Sequence, residues 1–154
     1  MKSPPVLLVE DNPNDEELTL RAFRKSGFLN DVIVARDGAE ALAYLFPADG
    51  DWARPALILL DLKLPKVDGL EVLHRIQADE RTRTIPVVVL TTSAQQEDVV
   101  ASYSGGANAY VRKPVKFSAF VEAVTTIGAF WLLLSEPMPD IIAIPAPAAE
   151  PVTP

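Results

Sequence analysis

The sequence predicts an α/β fold with a doubly wound, five-stranded parallel sheet and helices on both faces, and three observations support this prediction. First, five apolar or β-branched runs of three to five residues recur along the chain, which is the length of a buried strand. Second, these runs lack the alternation of polar and apolar residues typical of a strand with one face in water. Third, segments with helical spacing separate the runs, so helices join consecutive strands and the strands lie parallel. The runs are residues 6–9, 32–35, 56–60, 86–90 and 109–111.

Two sequence patterns mark helix starts between these strands. Asp37 is followed three residues later by Glu40, and Ser93 is followed three residues later by Gln96. In each pair we expect the first side chain to cap the helix and the second to reach back to it. Apolar stripes at helical spacing predict two further helices, one after residue 13 and one around residues 70–76.

The last helix is expected to run from Lys116 to about Leu134. Its sheet-facing stripe comprises Phe117, Phe120, Val121, Val124, Ile127 and Trp131. Six of the chain's 14 prolines lie in the last 18 residues, which excludes a helix there. We therefore expect one domain over residues 1–135 and a Pro-rich, extended or disordered tail over residues 136–154.

The composition excludes several classes of function. With 14 basic and 21 acidic residues the formal net charge is −7, so the chain lacks the basic surface of a nucleic-acid-binding protein. It has no cysteine and one histidine, His74, which excludes thiolate nucleophiles, zinc ribbons and His-rich metal sites. The first apolar run ends in acidic residues, too early for a signal peptide or a membrane span. We therefore expect a cytoplasmic protein with no membrane contact.

Polar side chains follow four of the predicted strands, at the point where each strand ends. The first strand ends in Glu10 and Asp11, the third in Asp61 and the fourth in Thr91, and the fifth is followed by Lys113. Ligands of open parallel sheets bind outside the carboxyl ends of the strands. We therefore expect three carboxylates, a hydroxyl and an ammonium to converge at one edge of the sheet.

These residue types favour phosphoryl chemistry with a metal ion. Three neighbouring carboxylates repel one another unless a cation joins them, and oxygen ligands without sulfur or imidazole favour Mg²⁺. Lys113 supplies a compact positive charge for a phosphoryl group. The chain has neither a GxxxxGK[ST] loop nor a GxGxxG turn, so the phosphate is not expected to belong to a bound nucleotide. The candidate nucleophile is then a carboxylate.

Four segments together resemble the receiver domain of two-component response regulators: LLVEDNPND, LILLDLKLPKVDG, PVVVLTTS and GANAYVRKP. They occur in the family's order and spacing, and the resemblance extends from residue 6 to about residue 134. It implies that Asp61 is the phosphoacceptor and that Mg²⁺ is the cofactor. The other implied features are the acidic pair Glu10 and Asp11, the backbone carbonyl of Lys63 as a further metal ligand, the switch pair Thr91 and Tyr110, Lys113 as counter-charge of the phosphate, and a cis peptide bond between Lys113 and Pro114.

The strings VEDNPND, VVVLTTS and FWLLL are similar to those of small regulators that pair with bacterial phytochrome histidine kinases and have no DNA-binding output domain. This resemblance implies a response regulator that accepts a phosphoryl group from a sensor histidine kinase onto Asp61 and signals through a change in its surface. Such a domain is not an enzyme, although it assists its own Mg²⁺-dependent phosphorylation and dephosphorylation. A phosphorelay intermediate, a phosphate sink and a phosphorylation-independent interaction module are the alternatives. An aspartyl phosphatase is disfavoured, because it needs a second aspartate where Lys63 stands.

A homodimer is expected through the last helix and the tail. Residues 132–134 are leucines outside the core stripe, so they predict an apolar surface that a partner covers. In the tail, Ile141, Ile142 and Ile144 are expected to lie on the neighbouring copy. The alternative is that residues 130–134 fold back on their own sheet and that the tail is disordered.

Overall fold

A parallel five-stranded sheet forms the centre of the protein, and a computed structural model describes residues 3–135. The strand order is β2-β1-β3-β4-β5, so the chain begins near the middle of the sheet and winds in both directions. The strands are β1 Val6–Val9, β2 Val32–Ala35, β3 Leu57–Leu60, β4 Val87–Thr91 and β5 Ala109–Arg112. The predicted fold class is confirmed, and each predicted strand is found to within one residue at either end.

Helices connect the strands and cover both faces of the sheet. The helices are α1 Pro13–Ser26, α2 Gly38–Leu45, α3 Gly69–Ala78, α4 Gln96–Ser104 and α5 Phe117–Gly128, which continues into a π-helical turn over Ala129–Leu134. Helices α1 and α5 pack together on one face, whereas α2 and α3 pack on the other. Helix α4 contacts α3 and β5.

Strand β1 shows why the sheet must be covered on both sides. Leu7 and Val9 lie in the apolar cluster formed with α2 and α3, and Val6 and Leu8 lie in the cluster formed with α1 and α5. All four side chains are buried. Each contributes roughly 1.5–3 kcal/mol relative to an exposed side chain. A strand without polar alternation is therefore stable only as an interior strand of a two-sided sheet.

Only half of one predicted capping box is present as expected, because the Glu40 carboxylate accepts from the N–H of Arg36 at 3.1 Å rather than from that of Asp37. The Asp37 side chain accepts a hydrogen bond of 2.8 Å from the backbone N–H of Glu40, as the sequence predicts for the start of α2. The prediction for Ser93 is wrong, because α4 begins after Gln95 and has no side-chain cap. The Ser93 hydroxyl instead lies 2.5 Å from a carboxylate oxygen of Asp98. The Ser93 oxygen accepts a hydrogen bond of 3.3 Å from the N–H of Gln95, before the helix begins, so it serves the loop rather than the first turn of α4.

The last helix does not continue to Leu134 as a regular α-helix. After Gly128 the backbone becomes π-helical, and the N–H of Ser135 donates to the carbonyl of Phe130, five residues earlier, at 2.7 Å. Phe117 was expected in the core stripe but is 54% exposed, because it is the first residue of α5 and lies one turn before the buried Phe120. Leu132 was expected outside the core stripe, but it is half-buried and packs against the cluster formed with α1 and the sheet. The tail and its isoleucines lie outside the described residues.

The segment Phe117–Leu134 is long and apolar enough to cross a membrane, with a mean hydropathy of 1.7 over 18 residues. Length and composition are weak evidence for such a span, because α5 is a core helix. Phe120, Val124 and Ile127 pack against α1 and the sheet. This packing explains the apolar character of α5. It does not explain the exposed apolar side chains at the end of the segment, which are Phe130, Leu133 and Leu134.

Candidate functional site

The backbone of the candidate site is an extension of the sheet. The N–H of Glu10 donates to the last carbonyl of β2 at 2.9 Å, and the N–H of Asp61 donates to the last carbonyl of β1 at 3.1 Å. The N–H of Lys113 donates to the carbonyl of Thr91, the last residue of β4, at 2.7 Å. Each of these three residues is therefore held by a ladder hydrogen bond one position beyond the end of its strand. This arrangement brings the predicted residues to one edge.

The ammonium of Lys113 lies among three carboxylates. Its Nζ is 2.5 Å from Glu10 Oε1, 2.9 Å from Asp15 Oδ2 and 3.0 Å from Asp61 Oδ2, and only 4% of the side chain is exposed. Buried charges persist only when they are paired in this way. Lys113 is thus the internal counter-ion of the site.

Asp15 is a site residue that sequence reasoning missed. It lies in the first turn of α1, which the side chain of Asn12 caps through the N–H groups of Asn14 and Asp15. Its position predicts a favourable interaction with the helix dipole, but it gives no indication of a contact with a lysine 98 residues later. The available signal was that α1 begins directly after the acidic pair, so its first turn faces the same edge.

The surroundings shift the pKa values of the buried groups in different directions. Burial raises the pKa of Glu10 to about 7, although Lys113 partly opposes the shift. Burial also opposes the ionisation of Asp61, but Lys113 and the hydroxyl of Thr91 outweigh it and hold the pKa of Asp61 below its usual value. Burial lowers the pKa of Lys113, but its bonds to Asp15 and Glu10 raise it overall. Asp61 is therefore an ionised carboxylate beside a charged lysine.

The carboxylates form a set of donors that suits a divalent cation. One oxygen from each of Glu10, Asp11 and Asp61 lies within 4.8 Å of the other two. Glu10 and Asp61 are buried, whereas Asp11 is exposed, so a hydrated ion can reach the group from solvent. A set of oxygen donors without sulfur or nitrogen fits a hard divalent metal. The N–H of Lys63 donates to Asp61 Oδ1 at 3.3 Å, which places the loop with the predicted fourth ligand beside the group.

The predicted switch pair is connected to Asp61 through hydrogen bonds. The buried Thr91 hydroxyl donates to Asp61 Oδ1 at 2.8 Å. The half-buried Tyr110 donates its hydroxyl to the backbone carbonyl of Ser93 at 2.8 Å. Thr91 thus touches the candidate nucleophile directly, whereas Tyr110 is connected to it only through the β4–α4 loop.

The peptide bond between Lys113 and Pro114 is trans, so the expectation of a cis bond is wrong. X–Pro bonds favour the trans form by about 0.5–1 kcal/mol. With this bond in place, the Lys113 ammonium already reaches its three carboxylates. The contacts in the site therefore do not require the less stable isomer.

Comparison with known proteins identifies similar sequences over most of the chain. The model of the response regulator receiver domain matches residues 6–125. The probable methanogenesis regulatory protein FilR2 of Methanothrix harundinacea is 46% identical over 128 residues, covering 82% of this chain and 83% of the relative. The response regulator Rcp1 of Synechocystis is 42% identical over 130 residues, covering 82% of this chain and 88% of the relative.

Solved structures show the same likeness in three dimensions. The Mn(2+)-bound form of the response regulator Rcp1 superposes with a TM-score of 0.83 at 39% identity, over 89% of this chain and all of that chain. The bacteriophytochrome response regulator AtBRR has a TM-score of 0.66 at 51% identity, over 88% of this chain and all of that chain. The similarity thus extends over the fold and most of the length of the chain.

Proposed function

Since this chain belongs to the response regulator receiver family, we propose that it accepts a phosphoryl group from the phosphohistidine of a partner histidine kinase onto Asp61. One observation supports this role most strongly: the Asp61 carboxylate is bonded on one oxygen by the Thr91 hydroxyl and on the other by the Lys113 ammonium. Both donors can bind the negatively charged oxygens of a phosphoryl group once it is attached to the carboxylate. Asp61 is ionised and therefore nucleophilic.

In the proposed reaction, a carboxylate oxygen of Asp61 attacks the phosphorus atom of the kinase's phosphohistidine. The P–N bond breaks, and its electron pair stays on the imidazole nitrogen, which then takes up a proton. The phosphoryl group carries a charge of about −1.5 to −2. Lys113 balances part of this charge, and Thr91 donates a hydrogen bond to one of its oxygens. Positioning and charge stabilisation, rather than proton transfer, are the contributions of these side chains.

We also propose that the divalent cation is Mg²⁺, held by Glu10, Asp11, Asp61 and the backbone carbonyl of Lys63. When bound, the ion supplies counter-charge to the transferring phosphoryl oxygens. The three carboxylates contribute the negative charge that attracts it, and a cation there would favour the ionised form of Glu10, whose pKa burial raises to about 7 in spite of Lys113. Two of the three carboxylate ligands, Glu10 and Asp11, follow β1 directly, so the sheet holds them in place before the ion arrives.

The proposed signal is a change in the surface near β5. Thr91 moves toward the phosphoryl group, which weakens its contact with the β4–α4 loop. Tyr110 then loses the Ser93 carbonyl as a partner and turns inward. The surface formed by α4, β5 and α5 changes as a result.

For the partner, we propose a bacteriophytochrome-type histidine kinase. The support is the 51% identity to AtBRR, which is described as a bacteriophytochrome response regulator. The probable methanogenesis regulatory protein FilR2 is 46% identical to this chain, so an experiment has to decide between the pathways. Phosphotransfer from candidate kinases to this protein tests the pairing. Rapid transfer onward to a second protein would instead favour a relay, and rapid loss of phosphate without a readout would favour a sink.

We propose further that two copies associate through the end of the last helix, with the tail crossing to the partner. Phe130, Leu133 and Leu134 are 49%, 69% and 76% exposed, and they form an apolar surface at the π-helical turn. Burying it would stabilise a pair by roughly 25 cal/mol per Å². Sedimentation of the full chain and of a chain ending at Ser135 tests this. A monomer at tens of micromolar would refute the dimer, and unchanged dimers after truncation would refute the role of the tail.

Replacing Asp61 with asparagine tests the proposed phosphoacceptor. The amide has nearly the same shape but is a poor nucleophile, so phosphorylation by a kinase or by a small phosphodonor should be abolished. Asp49→Asn is the matched control, because Asp49 lies exposed in the loop between α2 and β3. Acid-labile phosphate on Asp61→Asn at the wild-type rate would show that the site is misassigned. A folded variant without phosphate, together with a normal control, would support it.

A further inference from the structure

Asp98 connects the two loops that border Asp61. It lies in the first turn of α4, and its Oδ2 is 2.5 Å from the Ser93 hydroxyl and 3.7 Å from the Lys63 ammonium. Ser93 belongs to the loop after β4, and Lys63 belongs to the loop after β3. The Asp98 side chain is only 16% exposed, whereas that of Lys63 is 65% exposed. The acidic partner is therefore fixed, and the basic partner is free to move.

These contacts form a ring that closes on Asp61. The backbone N–H of Lys63 donates to Asp61 Oδ1 at 3.3 Å, and the Thr91 hydroxyl donates to the same oxygen at 2.8 Å. The N–H of Ser93 points to Thr91 Oγ1 at 3.5 Å, a long contact that a small movement would break. Asp98 completes the ring through Ser93 and Lys63. A change at Asp61 therefore reaches Asp98 by two routes.

Phosphorylation of Asp61 changes the balance of charges in this ring. The phosphoryl group brings a charge of about −1.5 to −2 and three acceptor oxygens. Lys63 lies only two residues after Asp61, and its flexible stem allows the ammonium to turn toward those oxygens. Asp98 attracts the same ammonium. The two negative groups therefore compete for Lys63, whereas Lys113 is buried and already directed at Asp61.

We propose that Asp98 is a positioning residue that holds the Lys63 ammonium away from the phosphoryl group and so shortens the lifetime of the phosphorylated protein. This inference rests on the proposed function, namely that Asp61 is phosphorylated. Hydrolysis requires a water oxygen to attack the phosphorus atom, after which the P–O bond breaks and its electron pair returns to the Asp61 carboxylate. The water's proton is released to phosphate or solvent. An ammonium bound to the phosphoryl oxygens would block part of the path by which water reaches the phosphorus atom. Asp98 holds the Lys63 ammonium away from that path.

Asp98→Asn tests the proposal, because it removes the charge while its amide oxygen still accepts the Ser93 hydroxyl. The protein is phosphorylated with acetyl phosphate and Mg²⁺, the donor is removed, and the fraction of phosphorylated protein is followed by phosphate-affinity electrophoresis. The half-life should lengthen by about two- to fivefold, the range expected for one partly exposed ion pair. Asp98→Glu keeps the negative charge, so its half-life should equal that of the wild type.

A double-mutant cycle with Lys63 distinguishes positioning from a structural role. In a Lys63→Met background the Asp98→Asn change should alter the half-life by less than about twofold, because no ammonium is left to release. Glu97→Gln is the matched control, since it removes the same charge from the neighbouring, exposed position. It should leave the half-life unchanged.

Three results would overturn the proposal. They are an unchanged half-life in Asp98→Asn, an equal lengthening in Glu97→Gln, and a lengthening that persists without Lys63. If Asp98→Asn does not fold, Asp98→Glu and Lys63→Met still decide, because the mechanism expects neither variant to outlast the wild type, and a lengthened half-life in either contradicts it. Wild-type protein that takes up no phosphate, compared with Asp61→Asn as the blank, would refute the proposed function as well. Normal phosphorylation without the Asp98 effect refutes the positioning role alone.

Discussion

Replacing Lys113 with methionine would leave the carboxylates of Glu10 and Asp61 buried without their cation. The ammonium contacts Glu10, Asp15 and Asp61 at 2.5, 2.9 and 3.0 Å, so the variant loses three charged contacts at once. Methionine fills a similar volume, and the change therefore tests charge rather than packing. Asp15 is 23% exposed and can regain water, so Glu10 and Asp61 account for most of the loss.

The expected effect follows from the burial of the pair. Removing one partner of a buried ion pair costs about 3–5 kcal/mol, because the other charge remains without compensation. For a domain of this size, such a loss lowers the melting temperature by roughly 6–20 °C. Mg²⁺ should restore part of the stability by supplying positive charge, and at 100 times its Kd a ligand contributes about 2.7 kcal/mol. The variant should thus respond to Mg²⁺ more strongly than the wild type.

Urea or thermal unfolding in EDTA, repeated with Mg²⁺, measures both effects. Lys63→Met is the matched control, because it removes a lysine ammonium at the same edge from a side chain that is 65% exposed. Its cost should be no more than about 1 kcal/mol. Stability of Lys113→Met within about 1 kcal/mol of the wild type in EDTA would refute the reasoning that the ammonium is the internal counter-ion of the site.

Three further predictions concern other parts of the structure. Mg²⁺ should raise the melting temperature of the wild type, and Asp11→Ala should reduce this shift; no shift in the wild type would contradict the metal site. Gly69→Ala should destabilise the protein by about 1–3 kcal/mol and slow its phosphorylation, measured by unfolding and acetyl phosphate assays, because a Cβ there would overlap the backbone of Asp61 and Leu62. Arg81 lowers the pKa of Asp79 to about 2 from 3.8, so the stability that the pair provides is complete above about pH 4 and is lost as the pH falls toward 2. Because Asp79 is 30% exposed, Asp79→Asn should differ from the wild type by at most about 1 kcal/mol at neutral pH, and urea titrations should show the difference vanish near pH 2.

The sheet and its polar edge were predictable because both depend on local patterns and on a rule of topology. Runs without polar alternation indicate strands buried on both faces, and the carboxyl ends of such strands meet at one edge. The positions of Glu10, Asp61 and Lys113 therefore followed from where each run ends. Their meeting requires only that the predicted strands lie in the same sheet.

The contacts that sequence reasoning missed depend on the relative placement of separate elements. Asp15 meets Lys113 because α1 packs beside the edge, and Ser93 is not a cap because α4 begins only after Gln95. Gly69 lies at the start of α3, where its missing side chain allows contact with the backbone of Asp61. Sequence spacing carries no information on such distances.

The chemistry of the site depends on how one lysine is shared. Lys113 is the shared counter-ion of Glu10, Asp15 and Asp61 and compensates part of their charge, which helps the protein tolerate the buried carboxylates before any metal or phosphate arrives. In the proposed phosphorylated state, a phosphoryl group on Asp61 would draw the ammonium toward itself and weaken its contacts with Glu10 and Asp15. Glu10 then needs another cation, because its pKa is raised to about 7 by burial even with Lys113 beside it. Metal binding and phosphorylation should therefore support each other, since each compensates charge that the other leaves uncovered.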